Sequence, residues 1–182
     1  MTSILKVDTI QGANGSDIPY IKGHVLQMPF TQYTSTTSVS CTANTDTTVD
    51  VLTLTITPKS TSSIIRLDTH IFHEWSNAES PHDCAWFFYR DSIKLAHAQV
   101  GNRRSGISTS VISYRLSDAD STPEKASYSY FDAPNTTSQI TYKVGIITQY
   151  TSTLYINRTV ADTNAVDFER GLSFISATEI GG

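Results

Sequence analysis

Alternation with a two-residue period runs through most of this chain, and no long segment spaces its apolar residues as a helix would. In VDVLTLTIT, Leu52, Leu54 and Ile56 fall on one face and Thr53, Thr55 and Thr57 on the other. Pro58 closes that run, because proline cannot donate to a strand ladder. SIIRLDTHIF repeats the pattern with Ile65, Leu67 and Ile71 turned inward. CAWFFYRD is too apolar to alternate and predicts a strand covered on both faces, with IKLAHAQ as its hairpin mate across Asp91-Ser92. The runs ISTSVISYRL, KASYSYFDA, QITYKVGII, STLYINRT and GLSFISATEI follow. Between them lie SDADSTPE, APNTTS and ADTNAVD, rich in the residues that close turns. The reading is all-β: an antiparallel sandwich of jelly-roll or Greek-key type with about eight or nine strands.

One predicted strand stands apart. ILKVDTIQG places Leu5, Val7 and Thr9 on one face and Lys6 and Asp8 on the other, followed by a turn cluster at Gly12, Asn14 and Gly15. Nothing adjacent offers it a partner, and a lone strand leaves both its backbone groups and its apolar face uncovered. Residues 1–23 are thin and polar, whereas 24–182 hold nearly all the aromatics, so the chain divides into an extended N-terminal segment (1–23) and a sandwich domain (24–182).

Composition reinforces the strand reading. Thr and Ser number 26 and 23 of 182 residues, but they alternate with Val, Ile, Leu, Phe and Tyr, as on half-exposed pleated surfaces rather than in a linker. The net charge of −4 argues against nucleic acid, which needs a basic stripe; the densest basic spot, Arg103-Arg104, reads as a solvated loop. No apolar run has the length of a membrane span, and the N-terminus lacks the pattern of a signal peptide. Cys41 and Cys84 are too few for a disulfide framework and read as buried thiols. These features predict a soluble protein made in a cytoplasm.

Four segments, taken in order, carry a resemblance. SILKVDTIQG resembles the opening of structural proteins of tailed, particularly marine, bacteriophages. VLTLTITPKSTSSIIRL is similar to their Pro-Ser-Thr-Ser turn between core strands, and FDAPNTTSQITYKVGI to their Asp-x-Pro turn before a Tyr-containing strand. LYINRT, an acidic loop and the closing GLSFISATEIGG resemble their C-terminus. The resemblance implies a homotrimeric virion fibre, assembled in the host bacterial cytoplasm, whose N-terminal segment attaches to other virion proteins through Leu5, Val7 and Ile10. The orphan strand would then pair with its own copies or with another virion protein. A flexible tail is the alternative reading of that segment.

Candidate sites weigh toward binding. His70, His73, His82 and Cys84, with Glu74 and Asp83, are metal-ligating types, but His70 and His73 point to opposite faces of a strand and no pair has zinc-motif spacing, so no metal or cofactor is expected. Asp118 with Asp120, and Asp167 with Glu169, are the acid pairs a glycosidase would require about 5–10 Å apart in a groove. They sit in turns, where solvated carboxylates are routine, so the expectation is no enzyme. The longest polar loops are 73–83, 99–106 and 117–125, and only the first carries a large aromatic. Trp75, Asn77 and His82 there have the ingredients of glycan recognition, a stacking face and hydrogen-bonding groups; the plainer reading is that Trp75 caps the sandwich edge. Trp86, between aromatic neighbours, reads as core or subunit interface. Tyr128 and Tyr130 share one face, opposite Phe131, and are assigned to a subunit interface, since one sandwich needs only one aromatic face.

Two functions fit: a homotrimeric tail fibre or receptor-binding protein that contacts a host surface glycan or protein, and a capsid decoration or head fibre protein held by the N-terminal segment. A secreted trimeric domain of signalling or lectin type would call for a signal peptide.

Overall fold

The computed structural model describes residues 22–112 and 121–182; Leu5, Val7 and Ile10, like Asp118 and Asp120, lie outside them. The described chain is all-β, with eleven strands and no helix. They are β1 Val25–Gln27, β2 Phe30–Tyr33, β3 Thr37–Cys41, β4 Thr47–Ile56, β5 Ile64–Trp75, β6 Cys84–Arg90, β7 Ile93–Leu95, β8 Glu124–Asp132, β9 Ile140–Thr148, β10 Ser152–Ile156 and β11 Ser173–Ile180. All pairings are antiparallel, in a seven-stranded and a four-stranded sheet packed face to face.

β5 is the spine of the larger sheet. His73 faces Glu124 of β8 on one edge and Ile156 of β10 on the other, while β11 pairs with Ile64 to His70 along that second edge. β1 and β2 line the outer edge of β11, and β3 that of β10. The smaller sheet runs β4-β9-β6-β7.

The alternation of the sequence maps onto this core. Leu52, Leu54 and Ile56 are buried, as are Ile65, Leu67 and Ile71. In β4, Val49 faces Val144 and Thr53 faces Lys143; the bulge between them lets both Val49 and Leu52 point inward. Cys84 to Phe88 are buried in succession, as a doubly covered strand requires. The inter-sheet face of β6 carries Trp86 and Phe88, while Phe87 turns to the other side, under Lys94 Nζ at 3.9 Å from its ring centroid. Gly145 stands opposite it, where an added Cβ would run into the Phe87 ring. Asp91-Ser92 makes the predicted β6–β7 turn, with Asp91 at φ 53°. Cys41 and Cys84 are free, buried thiols, and burial raises the pKa of both, Cys41 to about 11.

Two expectations are corrected. ISTSVISYRL does not form a named strand in its described part: Ser108 bridges Trp86 and Val111 bridges Lys125, and nothing more regular joins 107–112. The segment is held by side chains instead, as set out below. Conversely, β1 to β3 are strands that the alternation did not predict. They are short, sit at the sheet edge and bury only Cys41 fully, so burial imposes little pattern on them.

The sandwich has two distinct ends, separated by roughly 35 Å at a strand rise of about 3.3 Å per residue along β5. One end gathers the turns 42–46, 76–83 and 149–151 and the long segment 96–106. The other carries 57–63, 91–92 and 133–139. The chain also enters and leaves there: Gly23 N–H donates to Gly181 O (2.6 Å) and Gly181 N–H to His24 O (2.9 Å).

Candidate functional site

Three features carry polar chemistry: a buried histidine network, the outward face of the larger sheet, and the loop-bearing end. The first has the residue types of a nucleophile and base. His73 Nε2 lies 2.9 Å from Ser110 Oγ, which accepts from Trp86 Nε1–H (3.1 Å) and stands 3.4 Å from Cys84 Sγ. His73 Nδ1 reaches the Ile71 carbonyl at 3.2 Å, which fixes that nitrogen as the donor and leaves Nε2 to accept from the serine hydroxyl. Burial lowers the His73 pKa to about 4, so the imidazole is neutral at pH 7. His73 and Trp86 are fully buried and Ser110 nearly so. With this enclosure the network acts as a pin that fastens residues 107–112 to the core, and a substrate has no approach to it through the described residues.

The metal-ligand types noted in the sequence do not converge: no cluster of three or more His, Cys, Asp or Glu side chains occurs among the described residues. His70 instead hydrogen-bonds Ser127 Oγ (2.8 Å) on the outer face, and Glu74 is a buried clamp. The Glu74 carboxylate accepts from Thr122 N–H (2.7 Å), Thr122 O–H (3.0 Å) and Val160 N–H (2.7 Å), tying two loops to β5. Asp167 and Glu169 are solvent-exposed, as expected of turn carboxylates.

Trp75, Asn77 and His82 do not form a stacking site. β5 runs three residues further than the loop assignment allowed, and Trp75, paired with Leu154, is 4% exposed within the core. It can neither stack on a sugar nor cap the edge from outside. Asn77 Oδ1 accepts from Glu79 N–H (2.9 Å) and so shapes its own turn, while His82 is exposed. Tyr128 is likewise removed from the interface. It faces the smaller sheet, where its hydroxyl donates to Phe87 O (2.9 Å) and its ring packs on Phe88 at 4.8 Å between centroids. Tyr130, half-buried, packs against the same core. The shared face of the two tyrosines was legible, but it is the inner one.

The outward face of the larger sheet belongs to the alternate residues. Phe30, Ser176, Asp68 and Ser129 lie in one cross-strand row, Gln32, Phe174, His70 and Ser127 in the next, and Thr178, Arg66 and Phe131 in a third. Arg66 and Asp68 pair at 2.9 Å in its middle, with Ser129 O–H donating to Asp68 (2.6 Å). At opposite sides stand Phe30 and Phe131, 65% and 61% exposed, on β2 and β8. The outer face of the smaller sheet is different: Thr53, Thr55, Lys143 and Lys94 dominate it, and Phe87 is covered.

At the loop-bearing end, the segment after β7 folds against the 42–46 turn to make a cleft of about 940 Å³. Lys94, Arg103, Arg104 and Asp46 are its charged lining, with Asn44 and Ser105 among the neutral polar groups. Arg104 is no solvated loop residue. It donates to Gln149 Oε1 (2.7 Å) and Asn44 Oδ1 (3.3 Å) and stands 3.8 Å from Asp83 Oδ1. Gln99 Nε2 donates to the carbonyls of Gly101 (2.8 Å) and Arg103 (2.6 Å), and Ser105 O–H donates to His97 O, so the segment is braced from within. Sequence reading passed over this cleft because it contains no aromatic platform and its basic pair looked solvated. No protein-family model matches the chain, and no curated protein matches it significantly.

Proposed function

We propose that this protein is a non-enzymatic, homotrimeric structural component of a bacteriophage virion, a tail-fibre or receptor-binding protein that contacts the host surface. The observation that carries the reading is the polarity of the sandwich. The N-terminal segment joins at the end where Gly23 meets Gly181, and the braced polar cleft occupies the opposite end. An anchored fibre domain needs that arrangement, because only the end away from the anchor can reach a host.

The trimer would use the outward face of the larger sheet rather than the tyrosines. Phe30 and Phe131 lie on β2 and β8, three strand spacings apart, or roughly 14 Å at about 4.8 Å per strand. Two different apolar edges on one face fit a heterologous contact, in which the Phe30 side of one copy meets the Phe131 side of the next and the ring closes after three. The self-paired Arg66 and Asp68 leave the middle of the face without net charge, so copies meet without repulsion.

Deletion of residues 1–22 tests the anchor. The shortened protein is expected to keep the circular-dichroism spectrum and melting temperature of the parent, because every strand among the described residues lies beyond His24. It is expected to be missing from purified particles of a phage that encodes it. Incorporation at the parental copy number would contradict the assignment. Labelling of intact particles would then place the parent protein: capsid rather than tail labelling would replace the host-contact role by decoration.

A further inference from the structure

We propose that the cleft between the 96–106 segment and the 42–46 turn is a recognition site for an acidic saccharide, one bearing carboxylate or sulfate groups. The inference rests on the host-contact reading for its biological meaning, but its chemistry stands on the cleft alone. In a chain of net charge −4, three cations line this one depression against a single lining carboxylate, Asp46. Asp46 is already engaged by Lys94 Nζ at 2.8 Å. Arg103 is exposed and has no ion-pair partner among the described residues, whereas Arg104 stands 3.8 Å from Asp83 and its buried Nε has no hydrogen-bond partner. The unpaired positive charge of the site is therefore that of Arg103, beside the guanidinium of Arg104 and the ammonium of Lys94, whose charges are shared with Asp83 and Asp46.

The geometry favours a saccharide over a smaller anion. The cleft volume lies at the upper end of the usual range for ligand sites of about 300–1,000 Å³, room for a short oligosaccharide rather than a single ion. Asn44, Asn102 and Ser105 add neutral groups of the kind that satisfy hydroxyls. The bracing by Gln99, with Gly101 at φ 58°, fixes the backbone of the segment, and Asn44 and Gln149 hold the Arg104 guanidinium before a ligand arrives, which lowers the ordering cost of binding. With three lining cations and no basic stripe beyond them among the described residues, the site lacks the extended phosphate track that a nucleic acid requires.

The test is calorimetric titration of the full-length protein with oligogalacturonate, a sulfated galactan oligosaccharide, a neutral maltooligosaccharide and an oligothymidylate of similar length. At least one of the two acidic saccharides is expected to bind, at least tenfold more tightly than the neutral one and more weakly as salt rises; which of them binds tells carboxylate from sulfate recognition. Arg103→Glu, at an exposed position, is expected to leave the melting temperature unchanged and weaken that binding at least tenfold, whereas Arg104→Ala, which also loses its contacts to Asn44 and Gln149, is a secondary variant. Failure of both acidic saccharides to bind the folded parent overturns the proposal, as does equal binding of the neutral one, tighter binding of the oligothymidylate, or undiminished binding by folded Arg103→Glu. Saccharide binding by a protein absent from virions would sink the fibre reading and leave the cleft assignment standing; a trimeric virion protein that binds no acidic saccharide would do the reverse.

Discussion

Replacement of Trp86 by alanine is expected to cost about 3–5 kcal/mol of folding stability, the usual range for emptying a fully buried aromatic site. Trp86 is central for three reasons that act together. Its ring fills the space between the sheets, its edge meets His73 at 5.0 Å between centroids, and its indole N–H supplies the bond to Ser110 that pins the 107–112 segment. The loss therefore has two parts, a cavity and the hydrogen bond that Ser110 Oγ accepts from the indole, the serine keeping only its bonds to His73 and Cys84. Trp86→Phe keeps much of the ring but not the N–H, so its smaller loss separates the two. Equilibrium denaturation followed by far-ultraviolet circular dichroism reads both variants. A Trp86→Ala loss below about 1 kcal/mol would mean that the site collapses freely, against what a close-packed core allows.

The second large effect is an acid-sensitive stability set by His73. A free imidazole takes up its proton near pH 6.5, whereas burial holds that of the folded protein at about 4. Between these values the unfolded chain binds more protons than the folded one, so stability falls as pH falls. The contribution is fully present above about pH 6.5 and is lost on descending through pH 4; the gap between those two values corresponds to roughly 3 kcal/mol. Desolvation outweighs the charges around the ring: His70 opposes protonation, Trp75, Trp86 and Ser110 are neutral, and the buried carboxylate of Glu124, cross-strand on β8, leaves the His73 pKa low. His73→Gln removes this titration while leaving the carboxylates as they are. The stability difference between parent and variant should therefore shrink by that amount between pH 7 and pH 4. A difference that stays constant across the window would show that His73 is not held neutral by burial.

The sequence was most informative where one face of a strand is dry. Leu52, Leu54 and Ile56 in β4, and Ile65, Leu67 and Ile71 in β5, alternate because a one-residue slip would expose them all, and they point where the pattern puts them. The doubly covered β6 was legible for the same reason, as an unbroken apolar run. Beyond the ISTSVISYRL segment, pattern failed in three further places with separate physical causes. Edge strands β1 to β3 bury little, so nothing constrains their alternation. Trp75 closes a strand in which His73 and Glu74 are also buried; their polarity resembles a loop because hydrogen bonds to Ser110, Thr122 and Val160, invisible in the linear chain, satisfy them. In β8 the parity of Tyr128, Tyr130 and Phe131 was clear, but period alone does not say which side faces the core. A tyrosine hydroxyl with a buried carbonyl to reach, Phe87 O, settles that in the fold. The cleft was hidden because Asn44, Lys94, Arg104 and Gln149 come from four separate stretches of chain.

Light scattering on the purified full-length chain at micromolar concentration tests the trimer most directly. The expected mass is three times that of the 20.0 kDa chain, and Phe131→Asp, which places a charge at one edge of the contact while leaving the core untouched, is expected to reduce it to a folded monomer. A parent protein that stays monomeric would contradict the fibre reading and the heterologous contact with it. A trimer that survives Phe131→Asp unchanged would keep the assembly but remove the outward face of β8 from it.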